Sequence, residues 1–107
     1  MYKLIEIWKP IPNFKRIYEI SNLGRIRSLV GYYKYRKRKG KIIKPSINVE
    51  NGYYYIRLCK HGTRYSFLIS RLVLTVFKRH PKQNECACHF PDPSPSNNKI
   101  TNLVWGK

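Results

Sequence analysis

Two stretches of the chain alternate polar and apolar residues with the period of a strand. Tyr18-Glu19-Ile20-Ser21 and Arg25-Ile26-Arg27-Ser28-Leu29 flank Asn22-Leu23-Gly24, a turn-forming triplet, and predict a short β-hairpin. The β-rich Tyr53-Tyr54-Tyr55-Ile56-Arg57-Leu58-Cys59 follows the turn signal Asn51-Gly52. Lys60-His61-Gly62-Thr63 then leads into Arg64-Tyr65-Ser66-Phe67-Leu68-Ile69, a second hairpin. Tyr53 and Tyr55 should share one face of their strand, with Tyr54 opposite. From Ser70 the period lengthens. Leu72, Val73, Val76 and Phe77 recur on one face of a helix while Arg71, Thr75, Lys78 and Arg79 lie elsewhere, with Ser70 as the expected N-cap and Pro81 closing the helix. Proline turns punctuate residues 90–97, and a last apolar stretch runs over 100–105. The pattern is α+β: short antiparallel β-hairpins and one central helix. Trp8, Tyr18 and Leu23 are expected to build a small core in the first segment.

Charge changes the picture. Twenty-two Lys and Arg against five Asp and Glu give a formal +17 in 107 residues. Such self-repulsion is relieved by a polyanion that releases its counterions, which makes nucleic acid the first partner to consider. Seven of the cations lie between Lys34 and Lys44, with Tyr32, Tyr33 and Tyr35 among or beside them, where rings can stack while cations neutralise phosphates. This basic arm (Lys34, Arg36, Lys37, Arg38, Lys39, Lys41, Lys44) is the expected phosphate-binding region. Arg25, Arg27, Arg57, Arg64 and Arg71 are expected to extend it. No apolar run could span a bilayer and none reads as an amphipathic membrane helix, so no membrane partner is expected. The opening MYKLIEIWKPIPNF lacks a signal-peptide layout, which makes a cytoplasmic location the default. Three cysteines, Cys59, Cys86 and Cys88, then argue against structural disulfides. Cys-x-Cys-His over Cys86, Cys88 and His89 is a poor match to the Cys-x-x-Cys knuckles of structural zinc sites.

The candidate chemistry sits near the end of the chain. His89 is followed by Asn97, Asn98 and Asn102. An imidazole positioned through an amide suits a general base that activates water for phosphodiester hydrolysis, and a divalent metal would be needed for the charge that develops on phosphate.

At these residues the chain resembles a known family. Glu6-Ile7-Trp8-Lys9-Pro10-Ile11-Pro12 followed by 18–29 looks like the NUMOD4 motif of homing-type endonucleases. Lys41-Ile42-Ile43-Lys44-Pro45, Gly52-Tyr53, Ser70-Arg71-Leu72-Val73 and Phe77 are similar to the connecting region. His89-Phe90-Pro91-Asp92, Asn97-Asn98 and Asn102-Leu103-Val104-Trp105-Gly106 resemble the HNH nuclease core. The resemblance implies a ββα-metal nuclease lineage, phage- or mobile-element-encoded in a bacterial host, that cuts DNA with bound Mg²⁺ or Mn²⁺. By position, His89 is implied as general base, Asn102 as the asparagine orienting it or the site loop, and Asn97 and Asn98 as braces of the turn. Cys88, before the histidine, and Asp92 are the implied metal-binding candidates. Segments 1–30, 31–50 and 51–107 correspond to the NUMOD4-like hairpin, a basic arm or linker, and the HNH-like hairpin, helix and core.

The chain also departs from the family. Ser70 and Ser94 stand where a histidine and an acidic residue are common, and the family's final metal-binding helix would follow Gly106-Lys107. The expectation is a double-stranded-DNA-binding protein with metal-dependent cleavage by His89 weak or lost. The alternatives are an active HNH nicking endonuclease, and a small basic effector that uses the scaffold to block a host nucleoprotein machine. If cleavage is lost, no cofactor is expected. Oligomeric state is not encoded in any of these signals.

Overall fold

The structure is a computed structural model that describes residues 5–29, 31–33, 36–38 and 40–107, giving backbone alone for 31–33 and 36–38. Three short strands open it: β1 (Trp8–Pro10), β2 (Tyr18–Ser21) and β3 (Ile26–Ser28). A two-stranded ribbon follows, β4 (Gly31–Tyr33) paired with β5 (Arg36–Arg38), within the stretch read from sequence as a basic arm or linker. Lys34, Tyr35 and Lys39 of that arm lie outside the described residues. Then come β6 (Lys41–Ile43), β7 (Ser46–Ile47), β8 (Tyr54–Lys60) and β9 (Thr63–Leu68). The helix α1 (Ile69–Phe77), β10 (Cys86–His89), a 3₁₀ turn (Ile100–Asn102) and β11 (Leu103–Gly106) complete the chain.

The strands form four antiparallel sheets, ordered β1-β2-β3-β6, β4-β5, β7-β8-β9 and β10-β11. Both predicted hairpins are present, with Ile20 opposite Ile26 in the first and Ile56 opposite Phe67 in the second. The stretch 31–50 is structurally shared: β6 pairs with β3 of the first sheet and β7 with β8 of the second.

One apolar core joins these sheets through α1. Ile11, Phe14, Ile20 and Ile26 from the first sheet region meet Ile56 and Leu58 of β8, Ile69, Leu72, Val73 and Leu74 of α1, and Leu103 of β11. Burial of each such side chain contributes about 1.5–3 kcal/mol. Trp8 is not among them. It is half-buried at the sheet edge, with the Arg27 guanidinium 4.1 Å and that of Arg25 5.6 Å from its ring centroid. Leu23 is also only half-buried, and Tyr18 packs on the margin of the core.

The helix begins earlier than its polar signal suggests. Its N-cap is Leu68, with no side-chain capping bond, and Ser70 lies buried inside the first turn. β9 runs directly into α1, so burial of Ile69 fixes the start and leaves no free loop for a serine cap.

Candidate active site

β10 and β11 pair with Ala87 opposite Trp105, Cys88 opposite Val104 and His89 opposite Leu103. Successive residues of a strand face opposite sides, which splits this hairpin cleanly. Ala87, Leu103 and Trp105 belong to the packed side, where Leu103 is buried and the other two lie against the core. His89 shares that side at its end, half-buried beside the loop 90–99.

That loop is built around its asparagines. Asn102, 4 % exposed, accepts from Asp92 N–H at 2.8 Å and donates through Nδ2 to Asp92 O at 2.8 Å and Asn97 O at 3.1 Å. It therefore ties both arms of the loop to the start of β11 and does not hydrogen-bond the imidazole. Asn98 makes that contact: its Oδ1 lies 2.8 Å from His89 Nε2. The amide's orientation follows from its other end, where Nδ2 donates to Pro95 O at 3.3 Å. An amide oxygen only accepts, so the neutral imidazole carries its proton on Nε2 and keeps the Nδ1 lone pair available. The Tyr53 ring lies nearly parallel to the imidazole, at 14° and 6.1 Å between centroids.

The family resemblance named both asparagines, but it could not separate the one that touches the histidine from the one that ties the loop. The difference depends on where Pro95 O sits. Tyr53, expected on the strand, lies just before β8, and its place beside His89, 36 positions later, was not legible from sequence.

Asp92 is committed to the loop. Its Oδ1 accepts from Ser94 N–H at 3.0 Å and its Oδ2 from Asn97 Nδ2 at 3.1 Å. Those bonds, the Asn97 one foremost, hold its pKa below the ordinary carboxylate value, with the nearby His89 adding to the shift. Asn97 Oδ1 is buried without a hydrogen-bond partner among the described residues.

Cys88 faces away from this loop. Its Sγ lies 4.0 Å from Cys86 Sγ, and a Cβ added at Gly106 would meet it at 2.9 Å. Burial, followed by the neighbouring Cys86, raises its pKa, so the thiol stays protonated near neutrality. Among the described residues no three His, Cys, Asp or Glu side chains gather as metal ligands. A hard divalent cation takes several oxygens, most often one or two carboxylates with water and phosphate. A thiol on the opposite strand face and a carboxylate engaged in its own loop do not fit it. Cys88 and Asp92 do not form a joint site with His89.

The cations expected on a nucleic-acid surface divide into two groups. Arg25 pairs with Glu6, and Arg27 Nη2 lies 2.6 Å from Glu19 Oε1. Both also lie over Trp8, with Arg25 exposed and Arg27 half-buried. The Arg25 bond is the main cause of a Glu6 pKa below the ordinary value. Arg71 lies over Trp105 at 5.2 Å and donates to Glu85 O. Lys41, Lys44, Arg57 and Arg64 are exposed. Register puts Arg57 opposite Ser66 and Cys59 opposite Arg64, so both arginines lie on the outer face of β8–β9 with Tyr55. Arg36, Lys37 and Arg38 form the backbone of β5.

Known proteins are similar to this chain in sequence and fold. The model of the NUMOD4 motif matches residues 6–59. An uncharacterized HNH endonuclease of Acanthamoeba polyphaga mimivirus is 34% identical over 102 residues, covering 95% of this chain and 27% of that protein. DNA endonuclease I-HmuI of Bacillus phage SP01 is 32% identical over 98 residues, covering 92% of this chain and 51% of that protein. A solved structure, describing DNA binding and cleavage by the HNH homing endonuclease I-HmuI, superposes with a TM-score of 0.79 at 31% identity, over 94% of this chain and 52% of that one. The fold is thus of the HNH endonuclease class. The chain belongs to the NUMOD4-motif, HNH homing-endonuclease family, and spans about half or less of the length of these relatives.

Proposed function

We propose that this chain binds double-stranded DNA and carries His89 as the general base of phosphodiester hydrolysis, with cleavage by the 107-residue chain weak or lost. The observation that carries the reading is the His89 Nε2–Asn98 Oδ1 bond, which leaves the Nδ1 lone pair free. Nδ1 takes a proton from water as the water oxygen bonds to phosphorus and the bond to the leaving sugar oxygen breaks. General-base catalysis of this kind contributes about 10²–10⁴-fold. The leaving oxygen and the phosphate still gain charge, and among the described residues no three His, Cys, Asp or Glu side chains gather to hold a metal that would meet it. That is why cleavage is expected to be slow. Divalent metal is the cofactor of the family reading, but its donors are not matched by Cys88 and Asp92.

DNA binding draws on the net charge and on cations that no carboxylate engages in the described structure: Lys41, Lys44, Arg57 and Arg64. The relative I-HmuI, described as binding and cleaving DNA, supports the same partner here.

Fluorescence anisotropy on a labelled duplex across a salt series tests the binding. Affinity should fall linearly on a log–log plot with salt, and Arg57→Ala with Arg64→Ala should reduce the slope by roughly 1–2. Arg25→Ala with Arg27→Ala should change the slope less. An unchanged slope in the Arg57/Arg64 variant removes that face from the DNA surface. Weak, salt-insensitive affinity for naked duplex would favour the nucleoprotein-blocking alternative.

A further inference from the structure

The turn Asn22-Leu23-Gly24 closes the β2–β3 hairpin, but it also abuts the histidine site. Gly24 adopts φ +85°, and a Cβ added there would lie 2.8 Å from Asn98 O and 2.9 Å from Asn98 Cβ. Real Cβ atoms do not approach backbone that closely, so no side chain fits. Asn98 is the residue whose amide holds His89.

The turn is tied from several directions. Ser21 Oγ accepts from Leu23 N–H and Arg25 N–H, each at 3.2 Å, and Gly24 N–H donates to Ser21 O at 2.9 Å. Asn22 Oδ1 accepts from Ile7 N–H at 2.8 Å while its Nδ2 donates to Ile5 O at 2.9 Å. Ile100 N–H donates to Asn22 O at 2.8 Å, so the chain just beyond Asn98 is fastened to the same turn. Ser21 and Asn22 are buried, at 0 % and 5 % exposure, which shields these bonds from competing water. Asn98 is therefore gripped by contact at its own backbone and by a hydrogen bond two residues later.

We propose that the Ser21–Gly24 turn of the N-terminal motif is a positioning element of the His89 site. It fixes the Asn98 backbone, and through Asn98 Oδ1 it holds the imidazole with its proton on Nε2. Gly24 acts on the histidine through Asn98 and does not touch substrate. The hairpin that opens the chain and the loop that carries the asparagine form one mechanical unit. The consequence for cleavage rate rests on His89 being the general base; the consequence for the imidazole itself does not.

Two glycine substitutions separate this role from ordinary strain. Gly62 also has a positive φ, +77°, but a Cβ added there meets nothing within 4 Å. Gly24→Ala and Gly62→Ala thus share the backbone penalty and differ in the collision with Asn98. The readout is the pair of His89 imidazole ¹⁵N shifts in histidine-labelled protein at about pH 8.5, where an ordinary imidazole is neutral. Gly62→Ala should keep the Nε2–H tautomer, and Gly24→Ala should move His89 toward a mixture of tautomers. Should Gly24→Ala not fold, Ser21→Ala loosens the turn without adding an atom, and it should shift the same signals. Wild-type His89 shifts in a folded Gly24→Ala, or in Ser21→Ala if that is the variant that folds, overturn the proposal. A tautomer change with nicking that does not depend on His89 keeps the positioning role and removes the general-base reading.

Discussion

Asn98 and Asn102 are four residues apart and do different work. Asn102 satisfies three backbone groups of the loop, so its loss leaves one part-buried donor and two part-buried acceptors unpaired. Asn102→Ala should cost about 1–3 kcal/mol in urea unfolding, by the usual penalty for unpaired buried polar groups. A cost near zero would mean that the loop does not depend on it. Glu85 gives a pH signature. The Arg79 guanidinium, followed by the Lys82 N–H, lowers its pKa from 4.5 to about 2. A folded value below the unfolded one adds stability that is present above pH 4.5 and fades as pH falls toward 2. Melting temperature should therefore fall across that window, and Glu85→Gln should flatten the fall. Parallel curves would show that the ion pair contributes nothing. At this scale the histidine was legible from sequence, but its tautomer was not, because it depends on the Pro95 carbonyl and on the turn at Gly24.

The hairpins β2–β3 and β8–β9 were legible because alternation and turn residues act locally, over a few positions. Asn22-Leu23-Gly24 and His61-Gly62 sit where those signals put them, with Gly24 and Gly62 at positive φ. The helix start was less legible, since a serine next to an apolar run reads as a cap when nothing shows that a strand feeds the helix directly. The pairing of β6 with β3 and of β7 with β8 was also hidden. Two- and three-residue strands carry almost no period, and partners distant in sequence decide them. Among the strands, β8 contributes most clearly to the core, with Ile56 and Leu58 buried alongside the four core residues of α1. Leu58→Ala should destabilise the protein by about 2–5 kcal/mol through lost burial and the cavity left behind. A cost below 1 kcal/mol would place Leu58 outside the cooperative core, since about 1 kcal/mol is typical of an average substitution.

For the whole molecule, the net charge of +17 predicted a polyanionic partner but not which cations meet it. Glu6, Glu19 and Glu85 each hold an arginine, and Trp8 lies beneath two of those arginines. Composition counts Arg25 and Arg27 with the rest, whereas each pairs with a glutamate and lies over Trp8 while its side chain stays partly exposed. The family resemblance ran through nearly the whole chain and is matched by relatives of the HNH endonuclease class. No helix among the described residues is long and apolar enough to cross a membrane. What the molecule joins is a basic composition, a histidine whose Nε2 meets an amide oxygen, and metal candidates that do not gather into one ligand group among the described residues. Single-turnover nicking of supercoiled plasmid by the 107-residue chain, with Mg²⁺ or Mn²⁺, tests that combination most directly. The account predicts nicking far below the ordinary enzymatic range of about 1–10³ s⁻¹, with any residual activity reduced about 10²-fold or more in His89→Ala. Cutting at about 1 s⁻¹ or faster, or residual nicking indifferent to His89→Ala, would contradict it.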